Sequence, residues 1–287
     1  ESAITSRTKA ILYADIFGQS GDVDSLMEIA KKHGLKVISD TAQSPGALYK
    51  GKYAGTVADI GGFSLNYHKH IHCGEGGLVV TNDDRLARKV KLIRNHGEGV
   101  IQTDDPKELS NILGHNFRLG EIEAAIAREQ LKKLDGFIKS RQIAAKRLSN
   151  GLQGLKGLKT PTISSDCTHV YYVYGLTLNG QSTIGKRKLI SDALKREGVP
   201  ALNVGYQNIH LNPLFKNRIA YGTKGFPWKG IEQKNSEIFY KSNLCPIAEK
   251  LHNHSFLGIG LCHHFYTNTE IDLIIAAFRK VWKYLDL

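Results

Sequence analysis

The stretch Ala58-Asp-Ile-Gly-Gly-Phe-Ser-Leu-Asn-Tyr-His-Lys-His-Ile-His-Cys-Gly-Glu-Gly-Gly-Leu-Val-Val-Thr81 holds a single lysine, Lys69, in a loop between two short apolar runs. Ser64 precedes it, and the turn-prone Gly74-Glu75-Gly76-Gly77 follows before the chain enters Leu78-Val79-Val80. A lysine attacks a carbonyl only as the free amine, so a reactive one is fixed near groups that lower its pKa or near the carbonyl that captures it. Taken alone, a lysine among glycine turns reads as a solvated loop charge. The residues around it decide between the two.

Upstream lies Leu35-Lys-Val-Ile-Ser-Asp-Thr-Ala-Gln-Ser-Pro-Gly46, an apolar strand that closes on Asp40. Lys9 to Asp15 forms an earlier strand, Phe17-Gly-Gln-Ser-Gly-Asp22 the turn out of it, and Asp22 an N-cap. The helix that follows has Leu26, Ile29 and Ala30 on its apolar face and ends at His33-Gly34. Strand, helix and strand joined by short loops imply a parallel pair. An aspartate at the carboxyl end of a parallel strand stands where open α/β sheets bind ligands. A carboxylate there and an amine at Lys69 are the two groups that pyridoxal phosphate needs, one for its ring nitrogen and one for its aldehyde.

These motifs resemble a known family. Asp40-Thr-Ala-Gln43, Gly46, Gly51-Lys52, Gly55, Asp59, Phe63-Ser64, Lys69 and Gly74-Glu75-Gly76-Gly77 are similar to the DegT/DnrJ/EryC1/StrS aminotransferases, fold-type I enzymes that act mainly on nucleotide-linked keto-sugars. The likeness extends through Thr8-Lys-Ala-Ile11, Phe17 to Asp22, Arg94-Asn-His-Gly97, Gly114-His-Asn-Phe-Arg118, Ala124-Ala125, Gln130-Leu131, Cys245-Pro246 and Glu249, so it covers nearly the whole chain. It implies an α/β PLP-dependent transferase fold of the aspartate aminotransferase type. Residues 1–150 would form the remainder of a large, mostly parallel-sheet cofactor-binding domain, and residues 151–287 a smaller α+β C-terminal domain. A glycine- and lysine-rich shift at Asn150-Gly-Leu-Gln-Gly154 marks the expected boundary.

The resemblance also assigns roles. Lys69 holds pyridoxal 5'-phosphate as an internal aldimine and shuttles protons, and Asp40 keeps the ring nitrogen protonated. Gln43 packs against the ring and Ser64 binds the phosphate; read from the residues alone, these are an exposed loop glutamine and a strand-end hydroxyl. Asn116 reaches the cofactor phosphate of a second subunit, which makes the expected unit a homodimer with shared active sites; as a bare residue it is equally a turn or cap. The implied reaction moves an amino group from glutamate or glutamine to a keto group of a nucleotide-linked sugar. Two alternatives stand beside it. Related sugar dehydratases carry histidine at the lysine position, which Lys69 argues against, and a basic protein of this fold could bind a partner without catalysis. Against the family the chain, opening Glu1-Ser-Ala-Ile-Thr-Ser-Arg-Thr-Lys9, begins in mid-domain, so the expectation is a fragment or a large domain completed by another segment.

Composition limits the alternatives. With 41% hydrophobic and 23% charged residues the 287-residue chain is an ordinary globular protein rather than a disordered one. Its net charge of +12 favours anionic partners such as diphosphates. The basic residues are scattered and carry no nucleic-acid motif, so a nucleotide-sugar ranks above nucleic acid. Cys73, Cys167, Cys245 and Cys262 are far apart and read as reduced thiols of a cytoplasmic protein, and no run is long enough to span a membrane.

His68, His70 and His72 alternate around Lys69, and in an extended segment they would share one face. No convincing ligand shell surrounds them apart from Cys73, so no metal site is expected. Glu98 to Ser110 reads as a polar surface loop near a bulky substrate. The aromatic loops with Tyr206, Phe226 and Trp228 suit either a sugar or base or the cover of a domain edge. Beyond these, helices are expected over Asp83–Asn95, from Leu119 through Leu134 as one long element, over Lys186–Glu197 and over Ile271–Tyr284. Val170–Leu178 is expected as strand.

Overall fold

A computed structural model of the protein describes residues 1–98, 112–228 and 240–287, divided between two compact units. The loop read from Glu98 to Ser110 falls, from residue 99 on, outside the described residues.

The first unit comprises Glu1–Arg147, Thr162–Tyr174 and Leu261–Asn268. Its sheet is built on β1 (Ala10–Ala14) and β2 (Lys36–Asp40), joined through α1 (Val23–His33) and paired in parallel register from Ala10 with Lys36 to Ala14 with Asp40. Asp22 caps α1 by accepting from the Ser25 amide, and Gly34 ends it with a left-handed backbone, φ 64°, that glycine adopts without strain. After a hairpin of β3 (Leu48–Tyr49) and β4 (Lys52–Tyr53), β5 (Ile60–Ser64) pairs in parallel with β2, and β6 (Gly77–Val80) returns antiparallel. The order is β1-β2-β5-β6. All three parallel strands therefore end on the same side, at Ala14, Asp40 and Ser64.

Burial of Val23, Ala30, Val37, Tyr49 and Ala58 holds α1 to this sheet. A second cluster joins Ala47, Ala54, Leu65, Ile71 and Cys73 to Leu134, Ile138 and Val170. Glycine is required inside β5: a Cβ at Gly61 would lie 2.0 Å from the Gly55 carbonyl oxygen. Gly61→Ala is expected to destabilise the protein by about 3 kcal/mol, measured as a lowered urea midpoint; an unchanged midpoint would mean that this strand and the Gly55 turn are not packed as described.

Helix α2 (Asp84–Arg94) starts at Asp83, whose carboxylate accepts from the amides of Arg85 and Leu86. The long helix expected after Leu119 is two. Helix α3 (Glu121–Leu131) ends at a turn over Lys132 and Lys133, and α4 (Leu134–Gly151) begins at Leu134. The break separates two unlike apolar faces, since α3 buries no residue whereas α4 buries Leu134, Ile138, Ala145 and Leu148.

The second unit comprises Leu148–Pro161, Gly175–Gly260 and Thr269–Leu287. It carries β7 (Leu158–Lys159), β8 (Tyr174–Leu178), β9 (Leu202–Asn203) and β10 (Phe256–Ile259) in the order β7-β8-β10-β9. Amphipathic α5 (Arg187–Arg196) buries Ile190 and Leu194, and α6 (Asn268–Tyr284) buries Ile271, Ile274, Phe278 and Trp282. Buried Glu249 accepts from the amides of Asn243 (3.0 Å) and Cys245 (3.3 Å) and pairs with His210 Nε2 at 2.9 Å, which explains an acid after Cys245-Pro246.

The strand expected over Val170–Leu178 starts only at Tyr174. Val170 instead donates to the Gly18 carbonyl and Val173 to that of Phe17, and Tyr171 has φ 53°, so Val170–Val173 is recruited into the first unit as irregular backbone. Among the described residues no helix is long and apolar enough to cross a membrane.

Candidate active site

Asp15 is the buried anchor of the carboxyl end of the sheet. One carboxylate oxygen accepts from the hydroxyls of Ser39 and Thr41, each at 2.7 Å, and the other from the Gly21 amide at 3.0 Å. Strand alternation follows: Ser39 and Thr41 point inward to Asp15, and Asp40 between them is exposed. Asp40 Oδ1 accepts from the Ala42 amide at 3.0 Å; among the described residues its Oδ2 has no partner. Gln43 is half-buried, and its Oε1 accepts from the Phe17 amide at 2.9 Å, which supports the left-handed backbone of Phe17 at φ 62°. Sequence reading missed Asp15, although an acid ending one parallel strand beside a Ser-x-Thr on the next is a usable signal.

The loop from Leu65 to Gly76 leaves the carboxyl end of β5 as turns and bends, pinned by hydrogen bonds from Leu65 N to Gly76 O and from Cys73 N to Leu65 O. Half-buried Ser64 accepts from the Asn66 amide at 3.2 Å, and the Asn66 side chain donates to Glu75. Because the loop is not extended, the three histidines part. His70 is buried, His68 half-buried and His72 exposed. His70 Nε2 donates to the Val170 carbonyl at 3.0 Å, and burial drives its pKa down to about 3, so the ring is neutral.

Lys69 is half-buried, and its Nζ lies 4.9 Å from the centroid of the Tyr172 ring. Among the described residues no carboxylate forms an ion pair with it. Burial lowers its pKa, opposed by the Asp40 carboxylate and the Cys262 thiol. Cys262 is also 3.8 Å from His70 Nδ1, and its carbonyl accepts from buried Arg141 at 3.4 Å. Lys69 and Asp40 thus act on each other at one end of the sheet, with Gln43 following Asp40 and Ser64 ending β5. Asn116 stands elsewhere. It is exposed, bridges Asn95, and accepts from the Arg118 amide at 3.4 Å. All four cysteines are free thiols.

In the second unit Tyr206 and Phe226 are exposed, whereas Trp228 packs edge-on against Phe215 at 6.2 Å.

Comparison with known proteins supplies the context. A model of the DegT/DnrJ/EryC1/StrS aminotransferase family matches residues 1–230. The GDP-perosamine synthase of Caulobacter vibrioides is 34% identical over 283 residues, covering 98% of this chain and 68% of that protein. A dTDP-3-amino-3,4,6-trideoxy-alpha-D-glucose transaminase of Micromonospora megalomicea is 39% identical over 178 residues, covering 61% of this chain and 46% of its own. Among solved structures, DesV of S. venezuelae in complex with a ketimine intermediate superposes with a TM-score of 0.80 at 27% identity, over 100% of this chain and 67% of that one. An aminotransferase from Psychrobacter cryohalolentis gives 0.82 at 28% identity, over 100% and 71%. The chain spans 46% to 70% of the length of curated relatives it matches.

Proposed function

This chain belongs to the DegT/DnrJ/EryC1/StrS aminotransferase family, and we propose on that premise that it serves a pyridoxal phosphate-dependent aminotransferase acting on a nucleotide-linked keto-sugar, with glutamate or glutamine as amino donor. The observation that carries the reading is Lys69: a half-buried amine without an anion partner among the described residues, lowered in pKa by burial, at the same sheet end as the exposed carboxylate of Asp40.

The residues present suit the cofactor by their donor chemistry. Asp40 has an uncommitted oxygen to accept from a protonated ring nitrogen, and the Ser64 hydroxyl is available to a phosphate. Gln43, fixed by Phe17, would lie against the ring. Pyridoxal phosphate, when bound, supplies an aldehyde that captures amines and a pyridinium that withdraws electrons from the substrate carbon. The chain's own contribution is then proton handling. Lys69 Nζ acts first as the neutral amine that burial favours, later takes a proton from the substrate carbon, and returns it as general acid. Asp40 would accept from the ring nitrogen and so favour its protonated form.

Asn116 carries a different part of the proposal. Exposed next to Phe117, and ahead of Ile122, Ile126 and Leu131, which are also exposed on α3, it would serve the site of a second copy in a homodimer. A net charge of +12 suits a diphosphate-bearing substrate, and four free thiols suit a reducing cytoplasm.

Incubation with pyridoxal phosphate, borohydride reduction and peptide mapping test the assignment. The pyridoxyl group is expected on Lys69. Label spread over surface lysines, or none, would remove the basis for transamination by this chain.

A further inference from the structure

We propose that Tyr172 is the positioning residue of Lys69, holding the amine on the face of its ring where, among the described residues, no carboxylate does so. The inference rests on the reading of Lys69 as the reacting amine. An Nζ 4.9 Å from the centroid lies within the ~6 Å over which a ring face attracts a cation. The ring is itself held. Tyr172 is 5% exposed, stacks on His70 at 6.0 Å and 26°, and meets His68 at 6.3 Å. His70 is anchored on the Val170 carbonyl, and Tyr172 stands between the left-handed Tyr171 and a Val173 amide bound to Phe17.

The chemistry explains why an aromatic face suits this position. The amine must be neutral when it meets a carbonyl and charged after it has taken a proton. A carboxylate in contact would hold the proton and raise the pKa by 1–3 units. The face of a phenol attracts the ammonium weakly, accepts no proton, and keeps the side chain in one place in both states. The other groups acting on Lys69 are the Asp40 carboxylate and the Cys262 thiol, which favour the cation, against burial. On its flanks burial drives His68 and His70 toward neutrality, reinforced at His68 by Lys69 and His263 and at His70 by Arg141. Tyr172 adds a direction to this balance that none of these groups gives.

The test needs no cofactor. Tyr172 is replaced by phenylalanine and by its mono-, di- and trifluorinated analogues, which keep the shape of the ring and deplete its face stepwise. Reductive methylation with formaldehyde and cyanoborohydride, followed across pH by mass spectrometry of the Lys69 peptide, reads the apparent pKa of the amine, with exposed Lys52 as internal reference. Tyr172→Phe is expected to match the parent protein. The fluorinated series is expected to lower the apparent pKa progressively by roughly 0.5–1 unit in all, seen as about 3- to 10-fold faster labelling below it. A flat series, or a shift already complete in Tyr172→Phe, overturns the proposal. A progressive series with no pyridoxyl label on Lys69 would sink the transferase reading and leave Tyr172's role intact.

Discussion

Lys69→Ala is expected to abolish amino transfer, with a loss of at least 10³- to 10⁴-fold, the scale on which a positioned proton carrier acts. In the proposed reaction the same amine captures the cofactor and moves the substrate proton, so its removal would delete two functions at once. The fold should survive. The Lys69 side chain is half-buried, packs on Tyr172, and closes no ion pair or hydrogen bond among the described residues, while its backbone amide donates to the Asn66 carbonyl whatever the side chain. Lys69→Arg should be as inactive as alanine, because a guanidinium stays protonated and cannot attack a carbonyl. The measurement is a single-turnover assay with a keto-sugar nucleotide, alongside thermal unfolding of each variant. Activity in Lys69→Arg within tenfold of the parent would move the chemistry to another residue.

Lowering the pH from 7.5 to 5 is expected to remove about 4 kcal/mol of stability through two buried histidines. Burial holds His70 at a pKa of about 3 and His169 at about 4, whereas both titrate near 6.5 in the unfolded chain. The folded state therefore binds fewer protons. Its full advantage is present above pH 6.5 and is lost as pH falls from there toward 3 to 4. Each ring accounts for roughly 2 kcal/mol by pH 5, at 1.36 kcal/mol per unit. The solvent-facing carboxylates of Asp22 and Asp83, lowered by hydrogen bonds from Ser25 and from Leu86, act in a separate window below the usual carboxylate range. Urea midpoints at the two pH values measure the loss, and His169→Gln should halve it. Equal midpoints would mean that the two rings are solvated in the folded protein.

What was legible in the sequence was the local chemistry. Asp22 and Gly34 bracket α1 because an N-cap needs a short acceptor and a left-handed C-terminus favours glycine. The exit of Asp40 from β2 followed from an apolar run stopping at a charge, and Lys69 from its isolation in a glycine-bounded loop. The surroundings of Lys69 were not legible. Tyr172, Cys262 and Arg141 reach it or its neighbour His70 from distant parts of the chain, and their spacing along it leaves no period. Val170–Val173 shows the same limit. Its β-branched and aromatic residues suit a strand, yet bonds to Phe17, Gly18 and His70 took them elsewhere. The break between α3 and α4 also escaped, since Lys132 and Lys133 are good helix formers and only the change of buried face marks it.

The way the first unit is threaded sets the order in which it can be made. Its interior draws on Val170 from one returning segment, while Phe265 meets Phe137 from another and the Cys262 carbonyl receives Arg141. A nascent chain emerging from the ribosome would have both strands that end at Ala14 and Asp40 before it had these lids. Until those segments arrive that half-built interior must be sheltered.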